Sequence, residues 1–392
     1  GMSAFGAGSQ LALTRRGALP DAGQWTHQYA SAANPGASAD SVARAPLRLA
    51  WYTDWGVLMP SRHGRAPAPL FKDGYLVTLG LNAVLCADAY NGRLLWQYPI
   101  PDLMAFYNGE HNAGVARTHG VCCLADESVY LRLQDNRCLR LSLATGEKLR
   151  EYTVPPDDQD RTGTWGTIAA APEVLLGTVY HPRVLPSAVP RPAGLRYEAG
   201  ELFALDPDSG EHLWTYRARQ SIRHNAIAVA DGRVFVVDCA SREAVIAAQR
   251  KGSPPETPPP VLVCLDLRTG QVLWSSDQDV FATVLAVSTA HDVLLLAGQM
   301  DLRGFQLQGD RLAAQRLAGV RPSDGKRLWD VTVPATDAHN TYLSRPLIAG
   351  RTVYAQPWAF DLLTGERHQD FLLKGRGKHA CGVVSGAPNL LL

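Results

Sequence analysis

The stretch LFALDPDSGEHLWTY (Leu202–Tyr216) recurs in near-copies elsewhere in the chain. VLCADAYNGRLLWQY (Val84–Tyr98) and VLVCLDLRTGQVLWS (Val261–Ser275) follow the same order: apolar residues, Asp, three residues, Gly, three residues, Trp. We call this pattern the kernel. A motif that recurs along one chain indicates a repeat protein in which each copy is one structural unit. The three positions of the six copies are Asp88, Gly92 and Trp96; Ser142, Gly146 and Arg150; Asp206, Gly210 and Trp214; Asp266, Gly270 and Trp274; Arg321, Gly325 and Trp329; and Asp361, Gly365 and Gln369.

Each kernel predicts a β-hairpin. The alternating apolar residues before the Asp form one strand, and the run after the Gly forms the next. The Gly supplies the positive φ that the turn requires, and the Asp accepts hydrogen bonds from turn amides, which Ser142 would do more weakly. A second hairpin precedes the kernel, as in PLFKDGYLVTLG (Pro69–Gly80), IAVADGRVFVVD (Ile227–Asp238) and PLIAGRTVYAQ (Pro346–Gln356).

Two hairpins make a four-stranded unit, and such units recur at intervals of roughly 40–60 residues, which is typical of an all-β β-propeller. A β-sandwich is not expected to repeat an Asp/Gly/Trp kernel in this way. In a propeller blade, strands A to D run from the centre outward. The kernel is then the C–D turn, and the trailing Trp lies at the outer edge of its blade.

The kernels resemble the PQQ-like (quinoprotein alcohol dehydrogenase-like) repeat, whose pattern is A-x-D-x-x-T-G-x-x-x-W. The resemblance extends from Arg48 to Leu392. In addition, WTHQYA (Trp25–Ala30) and SRHGRAPAPL (Ser61–Leu70) are similar to segments of large multi-domain bacterial (planctomycete-type) PQQ-like proteins. The resemblance implies a ring of about eight blades, a periplasmic or extracytoplasmic location, and kernel tryptophans that are largely buried between neighbouring blades. These are Trp96, Trp214, Trp274 and Trp329.

The sequence divides into two regions. Residues 1–45 are predicted to form an N-terminal tail with a short helix at Leu11–Leu19, and residues 46–392 the propeller. Within the tail, the segment Trp25-Thr26-His27 has two interpretations. Either Trp25 anchors the tail to the propeller wall, or the tail brings His27 to the mouth of the central channel.

The number of blades is open at this point. Six complete blades can be counted, and Gly377–Leu392 starts a seventh. PLRLAWYTD (Pro46–Asp54) looks like an outermost strand that would complete the last blade. We expect a fragment of a longer protein, and the alternative is a complete ring of seven blades with a minimal last one.

The D–A connections and the B–C loops share one face of a propeller. Three long loops punctuated by Pro or Gly belong to that face: His181–Gly200, Ser241–Pro260 and Gly298–Leu317. Loops of this length in a compact fold are commonly functional. We therefore expect a ligand or a partner to bind on this loop face.

Polar side chains recur just before the predicted A strands, where the chain enters the central channel. They permit two interpretations: they hydrogen-bond the strand backbone, or they line a funnel that focuses its positive potential on an anionic or metal-associated ligand. The candidate ligand-binding residues at this channel mouth are Arg62, His63, Arg65, His111, Asn112, Trp165, Arg223, His224, Asn225, His339, Lys378 and His379.

The adjacent pair Cys122-Cys123 bears on the choice of function. PQQ-dependent alcohol dehydrogenases have adjacent cysteines in a disulfide ring near the quinone, but here the pair lies within a predicted inner hairpin, which favours two buried free thiols side by side and facing opposite ways. Those enzymes also bind Ca²⁺ through oxygen ligands. Glu110, Asn112 and Asn225 could contribute, but no specific trio of ligands and no catalytic residue is identified.

Composition excludes some classes of function. The net charge is +1, without long runs of one sign, so binding to nucleic acid is not expected. No apolar run approaches the ~20 residues of a membrane helix. The seven cysteines contain no C-x-x-C pair, so neither a disulfide framework nor a structural zinc site is indicated.

The leading functional hypothesis is a non-catalytic propeller, part of a larger protein, that binds a small molecule or a protein partner on the loop face. This hypothesis follows the resemblance to the outer-membrane assembly lipoprotein, which uses the repeat as a scaffold. The first alternative is a PQQ-dependent dehydrogenase that oxidises an alcohol or a sugar with Ca²⁺. The second alternative is a metal-dependent enzyme at a His-rich channel mouth.

Overall fold

The computed structural model describes residues 2–5, 12–15, 19–59, 67–104, 120–133, 135–157, 163–180, 198–241, 244, 247–248, 251, 257–281, 284–299, 315–333, 345–373 and 384–392. In these ranges the chain is almost entirely strand and turn. The strands are β1 (Met2–Phe5), β2 (Ala12–Arg15), β3 (Leu70–Lys72), β4 (Tyr75–Leu79), β5 (Ala83–Asp88), β6 (Leu94–Pro99), β7 (Cys122–Ala125), β8 (Ser128–Arg132), β9 (Arg137–Ser142), β10 (Lys148–Thr153), β11 (Thr164–Ala171), β12 (Val174–Tyr180), β13 (Glu198–Leu205), β14 (His212–Ala230), β15 (Arg233–Asp238), β16 (Val261–Asp266), β17 (Val272–Ser276), β18 (Val284–Ser288), β19 (Val293–Gln299), β20 (Gln315–Val320), β21 (Arg327–Val333), β22 (Leu347–Ala349), β23 (Thr352–Ala355), β24 (Trp358–Asp361), β25 (Gly386–Ala387) and β26 (Leu390–Leu391).

The strands form successive antiparallel units, which we number as blades. Blade 1 is β3–β6, blade 2 is β7–β10 and blade 5 is β18–β21, each a four-stranded sheet in chain order. Blades 3 and 4 share a seven-stranded sheet, because the long strand β14 is both the outer strand of blade 3 and the inner strand of blade 4. β22–β24 form blade 6, and the hairpin β25–β26 begins blade 7. This is the all-β propeller architecture that the repeat predicts.

The kernel turn forms as its residue types predict. In blade 3, one carboxylate oxygen of Asp206 accepts hydrogen bonds from the backbone N–H groups of Asp208 and Ser209, at 2.9 and 2.7 Å. Gly210 follows with φ +78°, a conformation that only glycine adopts without strain. In blade 2 the Ser142 hydroxyl accepts a single longer bond, of 3.2 Å, from the Thr145 amide. The six kernels therefore share one turn geometry, and Ser is the weaker version.

The kernel tryptophans join neighbouring blades. Trp214 of blade 3 donates its indole N–H to the Leu267 carbonyl of blade 4 at 3.0 Å, and it packs against the kernel glycine Gly270 of that blade. Trp96, Trp274 and Trp329 repeat this contact with the carbonyls of Leu143, Pro322 and Leu362, one blade further on in each case. Trp96, Trp214 and Trp329 are buried, as expected, whereas Trp274 is only half-buried.

Blade 2 carries Arg150 in place of the tryptophan, and two side chains share its role. The Arg150 guanidinium lies over the kernel glycine Gly210 and donates to the Ser209 carbonyl at 2.9 Å. The Tyr152 hydroxyl donates to the Pro207 carbonyl at 2.6 Å, which is the carbonyl that an indole N–H would reach. The contact between blades is thus preserved with different chemistry.

The hydrophobic core is divided into slabs between neighbouring blades rather than collected in one centre. The slab between blades 1 and 2 includes Val84, Trp96, Cys122 and Leu139. Other slabs lie between blades 2 and 3, 3 and 4, 4 and 5, and 5 and 6. Each blade must bury both faces, which explains why its central strands are apolar almost throughout instead of alternating.

Three predicted features differ in the structure. Ala12–Arg15 is a strand paired with Met2–Phe5, where a short helix was expected; a helix this short is marginal, and strand pairing satisfies the backbone instead. Blade 6 is not a complete blade, because its fourth strand is reduced to a single bridge between Phe360 and Arg367. Pro46–Asp54 forms no strand, although its Trp51 docks on blade 1 as a kernel tryptophan would, with Nε1–H donated to the Ala89 carbonyl at 2.8 Å.

Candidate functional site in the central channel

The N-terminal tail runs through the centre of the ring of blades. Successive short pieces of residues 25–38 reach the inner strand of every blade in turn, so this part of the chain is surrounded by the inner strands. The bonds, at 2.7–3.2 Å, join Trp25 to Phe71, Thr26 to Leu124, His27 to Ala170, Ala32 to Val229, Ala33 to Val287, Pro35 to Ile348 and Ser38 to Gly386.

This central segment, residues 21–41, also closes on itself. The Ser41 amide donates to the Asp21 carbonyl at 3.1 Å, and Gly23 lies directly against Asp40. In blades 1 to 6 the contacted residue is the next-to-last residue of its inner strand. The segment therefore occupies the end of the channel at the A–B turns, which is the end opposite to the loop face.

Trp25 and His27 have structural roles in this arrangement. Trp25 forms an antiparallel bridge with Phe71, in agreement with the interpretation that it anchors the tail. The Nε2 atom of His27 accepts a hydrogen bond from the Ala170 amide, and its Nδ1 atom lies 2.9 Å from the Thr26 hydroxyl. Burial lowers the pKa of His27 to about 4, so the ring is neutral and fixed by contacts on both sides.

A buried arginine lies above the central segment. Arg345 precedes the inner strand of blade 6, is 3% exposed, and donates from Nη2 to the Leu285 carbonyl of blade 5 at 2.7 Å. Its guanidinium carbon lies 3.9 Å from the ring centre of Tyr29, which belongs to the central segment. The Nε and Nη1 atoms of Arg345 are buried without an acceptor. Sequence reasoning missed this residue, because the Ser-Arg-Pro that carries it resembles an ordinary approach to a strand.

Eight of the twelve predicted mouth residues lie outside the described residues: Arg62, His63, Arg65, His111, Asn112, His339, Lys378 and His379. The other four are described. Trp165 is fully buried between blades 2 and 3, edge-on to Phe203 with ring centres 5.0 Å apart, and it donates to the Thr167 carbonyl at 3.0 Å. It therefore packs one blade on another and does not face the channel.

The described mouth residues of blade 4 are consecutive but differ in environment. His224 is buried, and its Nε2 atom lies 2.9 Å from the Thr178 hydroxyl of blade 3. Asn225 is also buried, whereas Arg223 is half-buried and donates to the Ala240 carbonyl at 3.4 Å. Of these three, Arg223 retains the most contact with solvent. His224 joins two blades through this contact between side chains.

The long loops of the loop face connect the expected strands. They join β12 to β13, β15 to β16 and β19 to β20, which are the B and C strands of blades 3, 4 and 5. Most residues of these loops, including 181–197, 252–256 and 300–314, lie outside the described residues.

The described residues include neither a cysteine pair that faces the channel nor a cluster of metal-binding side chains. Cys122 and Cys123 are free buried thiols on β7, and they point into two different slabs of the core, so neither lines the channel. Burial raises the pKa of Cys122 to about 12. Within the described ranges, no three His, Cys, Asp or Glu side chains are grouped to hold a metal ion.

Comparison with known proteins identifies the repeat. The family model described as outer membrane protein assembly factor BamB matches residues 193–368. The quinohemoprotein alcohol dehydrogenase ADH IIB of Pseudomonas putida is 29% identical over 174 residues, which are 43% of this chain and 22% of that protein. The dehydrogenase subunit of the quinone alcohol dehydrogenase of Komagataeibacter europaeus is 29% identical over 139 residues, 34% of this chain and 17% of that protein. The chain thus spans less than a quarter of either relative.

Among solved structures, a europium-containing methanol dehydrogenase superposes with a TM-score of 0.54 at 13% identity, over 94% of this chain and 88% of that one. At this level of identity the likeness concerns the fold alone. In the described part of the chain, no helix combines the length and apolar character needed to cross a bilayer.

Proposed function

Since the chain is a β-propeller built from PQQ-like repeats, we propose that it is a non-catalytic propeller that binds a ligand or a protein partner on its loop face. The family model that matches residues 193–368 carries the name of an assembly factor, and this supports a binding role. Fold alone does not decide between binding and catalysis, so the proposal depends on the channel.

One observation carries the proposal, namely the position of the central segment. Its hydrogen bonds to the inner strands of every described blade occupy the channel at the A–B turns. A ligand would then enter from the other end, where the D–A connections and the B–C loops lie. Concave sites with a few convergent polar groups are the usual binding sites of such folds. Arg223 and the mouth residues outside the described ranges are the groups we propose to surround this site.

Two variants test the proposal, one on the loop face and one on the opposite face of the same blade. Arg223→Ala removes a cation at the loop-face end of the blade 4 part of β14, and Arg233→Ala removes one just after the A–B turn of the same hairpin. The purified protein would be screened by thermal denaturation against small carboxylates, phosphate esters, sugars and peptides. We expect the compounds that raise the melting temperature to lose most of this effect with Arg223→Ala and to keep it with Arg233→Ala.

Two results would contradict the proposal. In one, the compounds that raise the melting temperature lose this effect with Arg233→Ala and keep it with Arg223→Ala. The site would then lie on the face that carries the A–B and C–D turns, opposite to the loop face. The other is dye-linked oxidation of alcohols by the purified protein after addition of PQQ and Ca²⁺. That second result would establish a dehydrogenase.

A quinone-dependent dehydrogenase is the second candidate, favoured by the 29% identity to two enzymes named as quinone or quinohemoprotein alcohol dehydrogenases. In such an enzyme the quinone would accept the electrons of the alcohol. Against it stands the orientation of Cys122 and Cys123 into two separate core slabs. A metal-dependent enzyme at the His-rich mouth stays a prediction, because His63, His111, His339 and His379 are outside the described residues.

We also propose that the chain works outside the cytoplasm, within a larger protein. The support is the family model named after an outer-membrane assembly factor. Fractionation of cells that produce the full-length protein, with the chain detected in periplasmic and cytoplasmic extracts, tests this location. Recovery with the cytoplasmic markers would refute it.

A further inference from the structure

Arg345 is a buried cation whose hydrogen-bonding groups are only partly used. One of its terminal nitrogens donates to Leu285, but the N–H of Nε and both N–H of Nη1 have no acceptor in the part of the chain that the structure describes. No carboxylate among the described residues bonds to it, and the only charged or polar neighbour that affects its pKa is Tyr29. Buried donors left without acceptors destabilise the folded state, and charged donors do so more strongly.

Loss of the proton does not remove this cost. Burial lowers the pKa of Arg345 to about 10, so the guanidinium stays charged at neutral pH. The Tyr29 ring compensates part of the charge by covering one face of the guanidinium at 3.9 Å. A side-chain hydrogen bond with Tyr29 also favours the charged form, yet the edge that carries Nε and Nη1 finds no acceptor among the described residues. A charged edge of this kind is the feature that proteins use to bind carboxylates and phosphates.

We propose that Arg345 and Tyr29 form a binding subsite for a small oxyanion, the carboxylate or phosphate group of a ligand that enters the channel from the loop face. This inference rests on the proposed binding function and adds the chemical class of the ligand. The anion would accept hydrogen bonds from Nε and Nη1 of Arg345, while the Leu285 carbonyl holds Nη2 and the Tyr29 ring holds the plane of the guanidinium.

The two members of the subsite come from different parts of the chain. Tyr29 belongs to the central segment, outside the residues matched by the family model, whereas Arg345 lies inside them. The Gly36 amide donates to the Tyr29 carbonyl at 3.1 Å, and the Asn34 side chain donates to the Ile227 carbonyl at 2.6 Å. The segment is therefore fixed at Tyr29 by a bond within itself and, five residues later, by a bond to blade 4. A fixed aromatic platform keeps the guanidinium in one orientation before the anion arrives, which reduces the entropy lost on binding.

The experiment uses inorganic phosphate and acetate as probes. Each would be titrated by calorimetry into the purified chain, with sodium chloride keeping the ionic strength constant. We expect one site for at least one probe, with affinity reduced about ten-fold or more by Arg345→Gln, because the charge-assisted bonds are lost. Arg351→Gln is the matched control, since Arg351 lies in the A–B turn of the same blade and is paired with Asp361 at 2.7 Å. Affinity should be unchanged in this control.

A second variant covers the case in which Arg345→Gln does not fold. Arg345→Lys keeps the charge but not the planar fork, so we expect weaker binding that is still measurable. Separate phosphate and acetate arms show which oxyanion is preferred. Failure of both probes to bind the wild-type protein, or equal affinity in wild type and Arg345→Gln, would overturn the subsite. If the Arg223/Arg233 comparison still gave face-specific binding, the proposed function would stand without the subsite.

Discussion

Trp214 packs against Gly270 of the next blade so closely that a methyl group at that glycine would lie 2.5 Å from the indole ring. The glycine therefore serves two purposes, a turn with φ +68° and a flat surface for the ring. The same pairing recurs at Gly146 with Trp96, Gly325 with Trp274 and Gly365 with Trp329.

The two purposes of Gly270 can be separated with a matched substitution. Gly232 has nearly the same φ, +69°, but has open space where a methyl group would be added. We expect Gly232→Ala to cost about 1–2 kcal/mol of unfolding free energy from backbone strain alone. Gly270→Ala should cost a further ~1–3 kcal/mol from overpacking against the ring. Urea unfolding of both variants measures the difference, and equal losses would show that the ring moves aside without cost.

The contribution of each docked tryptophan to the free energy of unfolding should increase with its burial. Trp214 is 7% exposed and Trp274 is half-buried, although both donate their indole N–H at 3.0 Å. Trp214→Ala should lower the unfolding free energy by ~3–5 kcal/mol, as for a large core aromatic, and Trp274→Ala by clearly less. Thermal and urea denaturation of the two variants give the comparison. A larger loss for Trp274→Ala would mean that burial does not set the strength of the docking.

The thiols described in the structure should be unreactive while the protein is folded. Burial raises the pKa of Cys122 and Cys86 to about 12 and of Cys264 to about 11, and the thiolate is the reactive form. In a Cys381→Ser background, which removes the one cysteine outside the described residues, we expect no labelling by a disulfide reagent near pH 8. After unfolding in urea, all six thiols should react. Mass spectrometry of the folded protein provides the check. A disulfide between Cys122 and Cys123 would contradict the prediction of free thiols and would support the quinone-dependent candidate.

Stability should fall on acidification because of His27. The folded-state pKa is about 4, below the ordinary value of 6.5, so the unfolded chain binds a proton that the folded chain does not. The stability that the neutral ring contributes is present above the unfolded pKa and decreases as pH falls from there towards 4. Between about pH 7.5 and pH 5 the loss should be about 2 kcal/mol for this group.

Two variants isolate this effect. His27→Gln replaces the ring with a side chain that can accept the Ala170 amide bond but does not titrate, so the loss of stability between the two pH values should shrink by that amount. His368→Gln alters an exposed histidine of blade 6 and should leave the pH dependence as in the wild type. Urea denaturation at both pH values provides the measurement. An unchanged pH dependence in His27→Gln would show that His27 is not the responsible group.

The local parts of this fold could be predicted from sequence, because turns and hairpins depend on residues close together in the chain. The kernel identified the C–D turns, and the resemblance to a known repeat predicted the docking of Trp96, Trp214 and Trp329. The direction in which the His224 side chain points could not be predicted in the same way. The pairing of β14 with β15 shifts register between Ile222 and Ile227, so side chains do not simply alternate between the two faces of the strand there.

The contacts of the central segment were missed for a different reason. Most of its bonds to the inner strands are made by backbone groups, and a bond such as that between Pro35 and Ile348 leaves no pattern of residue types. Arg345 was missed because its burial depends on this segment. The sequence suggested cations at the channel mouth, but it could not show which of them would be enclosed.

The central segment also constrains how the domain is assembled. Residues 21–41 precede every blade in the chain and so are synthesised first, yet Ser41 is bonded to Asn389, 348 positions later. Contacts between residues so distant in sequence are slow to form, because a long loop must close before they contribute. The early segment must therefore wait for partners that are translated much later, and its hydrogen bonds to blade 7 become possible only when β25 has been made.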